Sequence, residues 1–108
     1  MAVPSTRNWT ILANHGEVLL HLSEHPTDTI RTIGIAVGLQ DRTVAAIIAE
    51  LKESSYLTVK RNGRRNQYEV VEFMPIRRHV EGYNDLTVGD LIAALRLAKS
   101  RSRAQHVA

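Results

Sequence analysis

Apolar residues recur along this chain at helical spacing in four places and at strand spacing in one. Val18, Leu19 and Leu22 fit one face of a helix over Asn14–His25, which Pro26 stops. The segment Pro26-Thr-Asp-Thr29 reads as a turn that supplies an N-cap. A second helix is predicted over Ile30–Val37 with Ile30, Ile33 and Val37 inward, followed by a Gly38-Leu39-Gln40 turn. Asp41 is the expected N-cap of a third helix, Arg42–Glu53, whose Val44, Ile48 and Leu51 face the core with Ile47 beside them. The period then drops to two. Tyr56–Arg61 and Gln67–Val71 read as strands around Asn62-Gly63, a strong hairpin signal. Pro75 ends the sheet and residues 76–86 are polar and irregular. Thr87-Val-Gly-Asp90 resembles a capping box with Asp in place of Glu, opening a helix with Val88, Leu91, Ile92 and Leu95 on one face. No internal repeat is present.

Within this order, Gly34, Gly38 and Val44 stand four and six residues apart. That spacing suits a helix-turn-helix: a small residue where two helices touch, a glycine in the turn, an apolar anchor on the second helix. A basic hairpin follows at once. The expected fold is therefore mainly α with a small β-hairpin: a winged helix-turn-helix with a three-helix core and two-stranded wing, plus a C-terminal helix. The domain reading is a loose arm over 1–8, the winged helix-turn-helix over 9–75, a linker and C-terminal helix over 76–98 that dimerises, and a disordered basic tail over 99–108.

Charge sharpens this picture. The net charge is only +3, but residues 1–57 sum to −2, 58–78 to +4, 79–95 to −3 and 96–108 to +4. Positive charge is confined to the wing with its exit and to the tail, where it attracts polyanions. The 108 residues suffice for one domain with a modest core. No run of about 18 apolar residues occurs, so no membrane span is expected, and the start lacks a signal-peptide stretch. The absence of cysteine removes thiol chemistry and fits a cytoplasmic protein.

The third helix is the candidate recognition helix, with its start in a major groove. Arg42 pairs with guanine and Gln40 with adenine in such a setting, while Thr43 or a first-turn amide holds a phosphate. Ala45, Ala46 and Ala49 share the outward side and offer only contact with a thymine methyl or close backbone approach. Lys60, Arg61, Arg64 and Arg65 suit phosphates or a narrow minor groove, with Asn66 and Gln67 assisting. His21 and His25 are one turn apart, but no further ligands accompany them, so no metal or other cofactor is expected. No nucleophile has an oriented base nearby, and the chain does not read as an enzyme. Val88, Leu91, Ile92 and Leu95, with Trp9, Ile11 and Leu12 as a matching surface, form the expected homodimer contact, since a palindrome doubles what one recognition helix reads.

The chain resembles small bacterial winged-helix regulators related to the MarR and ArsR types, most closely short actinobacterial-type regulators. The likeness rests on Trp9-Thr-Ile-Leu-Ala-Asn-His15, Arg42-Thr-Val44 with Leu51, Gly63-Arg-Arg-Asn-Gln-Tyr68 and Val88-Gly-Asp-Leu-Ile92, and covers residues 9–95. It implies transcriptional regulation through double-stranded DNA, with contacts at Arg42, Thr43, Arg64 and Arg65. Two departures stand out: Ser55 where a glycine usually closes the recognition helix, and residues 80–85 in the exit segment. Two other readings use the same scaffold. One is a protein-interaction module that docks through the alanine-rich helix face. The other is a ligand- or metal-sensing regulator whose small-molecule effector pocket would lie between the first and last helices.

Overall fold

The computed structural model describes residues 11–76 and 86–107, with side chains through Arg101. Trp9, the arm over 1–8 and the departure at 80–85 lie outside the described residues. The elements run α1 (Asn14–Glu24), α2 (Ile30–Val37), α3 (Asp41–Glu53), β1 (Leu57–Asn62), β2 (Arg65–Val70) and α4 (Val88–Val107). This is the mainly helical winged helix-turn-helix architecture that the pattern predicts.

The helix-turn-helix forms for the expected reasons. Thr29 caps α2, its hydroxyl accepting from the Thr32 amide at 3.2 Å. Gly38 ends it in the left-handed region at φ 75°, and the Leu39 amide donates to the Gly34 carbonyl at 2.9 Å. A Cβ on Gly34 would lie 2.6 Å from the Leu39 carbonyl oxygen and 3.6 Å from a Val44 methyl, so only glycine admits this approach. The chain bends by 104° between α2 and α3, within the range of about 90–120° for such motifs.

All four helices and the hairpin share one core, to which α4 gives Val88 and Ile92. Val18, Leu19 and Leu22 of α1, Ile33 of α2, and Val44, Ile47, Ile48 and Leu51 of α3 are buried with Leu57 and Tyr68 of the hairpin. Each such side chain contributes roughly 1.5–3 kcal/mol when fully buried. The Tyr68 amide also donates to the Pro26 carbonyl at 2.8 Å, tying β2 to the loop after α1. Beyond the hairpin, Pro75 and Thr87 form an isolated antiparallel bridge that returns the chain to the body. The Val88 amide donates to the Met74 carbonyl at 2.9 Å and the Gly89 amide to that of Glu72 at 2.9 Å. The capping box is present in both directions: the Thr87 amide donates to Asp90 Oδ2 at 3.0 Å and the Asp90 amide to Thr87 Oγ1 at 3.1 Å.

Four expectations change. The N-cap of α3 is Gln40, extended at ψ 154° and making no side-chain cap bond, so Asp41 is already helical and sits in the first turn. In the hairpin, Asn62 pairs with Arg65, which leaves Gly63 and Arg64 as the two turn residues, one position later than Asn62-Gly63. Gly63 alone has positive φ there, at 65°, the pattern of a type II′ turn with glycine first. The tail does not fray at Lys99. Helix α4 continues to Val107, with no glycine or proline after Gly89 to break it. Lys99 meets Glu24 of α1 at 2.7 Å, and this hydrogen bond with the lysine charge holds the Glu24 carboxyl below the usual carboxylate range. Finally, Val88 and Ile92 are buried at 4% and 2% exposure inside the protomer core, so they are not available to a second subunit. The bridge at Pro75 and Thr87 is the cause, because it sets the first turn of α4 against the body.

Candidate nucleic-acid interface

Helix α3 presents two opposed faces. Val44, Ile47, Ile48 and Leu51 point inward, which leaves Arg42, Ala45, Ala46 and Ala49 on an exposed outward stripe. Arg42 is the one long cation on that stripe. Gln40 is exposed just before it, and Thr43 is half-buried at the flank. The first amides of the helix have no intrahelical acceptor and carry the positive end of its dipole, which suits an anion. Asp41 is exposed in the same turn and opposes that field. Toward the other end of the helix the exposed charges are Glu50, Lys52 and Glu53. A polyanion therefore meets attraction at Arg42 and the first amides, and a mixed field that is net acidic beyond.

The wing divides its basic residues by register. Leu57, Val59 and Arg61 lie on one face opposite Val70, Tyr68 and Asn66, so this face begins in the core and ends in Arg61 and Asn66. Lys60 opposes Gln67 and Asn62 opposes Arg65 on the other face. Arg64 occupies the turn. All residues from Lys60 to Gln67 are exposed. Arg61 Nε donates to the Gly63 carbonyl at 3.1 Å, which folds this guanidinium against its own turn. The hairpin thus offers Arg61 and Asn66 on one side, Lys60 and Arg65 on the other, and Arg64 at the end. Helix α3 packs against β1, which joins the outward stripe of α3 to the wing through the shared core.

The expected dimer residues separate. Leu91 is half-buried and Leu95 is 43% exposed. Leu12 is half-buried beside α1. Leu97, absent from the expected stripe, is 60% exposed, and Ile11 is 88% exposed.

The histidines make pairs that the sequence pattern does not announce. His21 Nε2 lies 2.8 Å from Asp28 Oδ2, and its ring stacks on His25 with centroids 4.7 Å apart. His15 Nε2 lies 2.9 Å from Glu50 Oε1 and joins α1 to α3 across 35 residues of sequence. Only the helical spacing of His21 and His25 is visible locally. Among the described residues, no cluster of three or more His, Asp or Glu side chains could hold a metal ion. No single described helix is long and apolar enough to cross a membrane.

No protein-family model matches the chain, and no curated protein is similar to it at a significant level. Among solved structures, the chain is similar to the PcaV transcriptional regulator from Streptomyces coelicolor, crystallised with its natural ligand. The two are 28% identical over 56% of this chain and 45% of that chain, with a TM-score of 0.49. The chain therefore spans less than half the length of that regulator.

Proposed function

We propose that this protein is a DNA-binding transcriptional regulator that reads duplex DNA with α3 in the major groove and the wing on the backbone or minor groove. The observation that carries the reading is the outward stripe of α3. It opens on Arg42, is otherwise bare alanine, and belongs to a helix pair bent by 104° beside an exposed basic hairpin. Small side chains let the helix backbone approach base edges closely, and the single arginine supplies a bidentate donor for guanine. The wing arginines and Lys60 supply contacts to phosphate that carry little sequence information. The protein acts in the cytoplasm as a homodimer, with the exposed part of α4 as the contact between copies.

Recovery of bound genomic fragments, followed by a salt series on the best site, tests this. Phosphate contacts release counterions, so log affinity falls linearly with log salt, at a slope of about −0.9 for each phosphate neutralised. Four to six contacts give a slope of roughly −4 to −5. Affinity that is independent of salt, or no enriched fragment, overturns the reading.

A further inference from the structure

At the far end of α3 from Arg42 lies an apolar groove of about 480 Å³, between α1, the end of α3 and the start of α4. Leu19, Leu51, Val88 and Leu91 form its walls. Tyr56 also lines it, and its hydroxyl is fixed by donating to the Pro75 carbonyl at 2.5 Å.

The polar side chains at this groove include two carboxylates, with His15 beside one of them. Glu50 and Glu53 line it, and no lysine or arginine does among the described residues. Glu50 carries a hydrogen bond with His15, and Glu53 has no ion pair among the described residues. Ser54 lies at the groove where α3 ends, so the negative end of the helix dipole adds to the two carboxylates. The Tyr56 ring offers an electron-rich face of the kind that attracts cations. An apolar cleft with a few convergent polar groups is the usual form of a small-molecule site, and here the described lining holds two carboxylates and no lysine or arginine.

We propose that this groove binds an amphipathic organic cation: a small molecule with an apolar body and one quaternary or protonated nitrogen. The body fills the space among the leucines and Tyr56, and the nitrogen faces Glu50 and Glu53. Such an occupant makes the protein a sensor of lipophilic cations only if the DNA-reading proposal holds, but its binding does not depend on that proposal.

Tetraphenylphosphonium and tetraphenylborate test this directly, because they share shape and apolarity and differ in the sign of charge. Calorimetry and amide NMR shifts on the whole chain, without DNA, are the readouts. Tetraphenylphosphonium is expected to shift the amides of Leu51, Ser54 and Leu91, and tetraphenylborate to shift them at least about tenfold more weakly. Replacing Glu50→Gln and Glu53→Gln together should weaken the cation about tenfold, as expected for two charges at a solvated rim. Glu69→Gln, an exposed acid on the hairpin, should leave it unchanged.

Equal binding of the two ions, or an unchanged affinity in the double variant, overturns the proposal. So does the absence of shifts at these amides up to about 1 mM, the result if another part of the chain or a second copy fills the groove. Since no DNA is present, failure here leaves the salt series on DNA to stand or fall separately.

Discussion

Ser55 is held at φ 68°, the only residue other than glycine with positive φ among those described. Its neighbours explain why the conformation persists. The Ser55 amide donates to the Lys52 carbonyl at 3.1 Å and the Tyr56 amide to the Leu51 carbonyl at 2.9 Å, the paired bonds of a Schellman ending. A serine there bears a Cβ penalty that glycine lacks. Ser55→Gly should stabilise the fold by about 0.5–1 kcal/mol, the relief of strain less the entropy that glycine adds to the unfolded chain. Urea midpoints of the two proteins measure it, and an unchanged or lower midpoint would show that the serine is unstrained. Under the proposed DNA reading, Arg42 is the residue that carries base recognition. With alanines as its companions on the stripe, Arg42→Ala should cost about 1–3 kcal/mol on the preferred site and little on random duplex. Equal losses on both would make Arg42 a phosphate contact.

Elements were legible wherever one local pattern decided them. Gly34, Gly38 and Val44 specify the helix pair because a close approach, a left-handed residue and an anchor each demand one kind of side chain. Thr87 and Asp90 specify the start of α4 through a reciprocal pair of bonds. The hairpin was legible in kind and shifted by one in register, because Asn-Gly suits a turn with two positive φ values whereas this turn needs glycine only at its first central position. Gln40 and Asp41 are both polar, and only the backbone angles decide which of them caps α3. The register shift has a consequence for the wing. Arg64 and Arg65 lie at its end and on one face, apart from Arg61, which bonds its own turn. Arg64→Ala with Arg65→Ala should weaken binding to every duplex and flatten the salt slope by about one to two units. Unchanged affinity at low salt would remove the wing from the interface.

At the scale of the whole molecule, what the sequence could not reveal is how α4 divides its apolar residues. Periodicity places Val88, Leu91, Ile92 and Leu95 together, and it says nothing of the bridge between Pro75 and Thr87 that presses the first turns onto the body. A pocket between the first and last helices is one reading of the sequence, but the lining of the groove is not legible there, since it comes from three helices distant in sequence. The burial of Val88 and Ile92 narrows the proposed dimer contact to α4 beyond Ile92, where every residue from Ala93 to Arg101 is exposed and Lys99 reaches back to Glu24 of α1. Leu95 and Ala98, three apart, share one face of that stretch. Packing it against a second copy would bury leucines worth roughly 1.5–3 kcal/mol each, counted twice by symmetry. It would also set two α3 helices to read adjacent major-groove turns about 34 Å apart. Leu95→Asp with Ala98→Asp places charge on this face without touching the core. The variant should keep its helical circular dichroism, sediment as a monomer, and lose far more affinity for a palindromic site than for a half-site. Ile92→Asp, by contrast, should unfold the protein, because its side chain is 2% exposed in the protomer. A Leu95/Ala98 variant that still sediments as a dimer would move the two-fold contact off α4 altogether, leaving the exposed Ile11 and the start of α1 as the next surface to test.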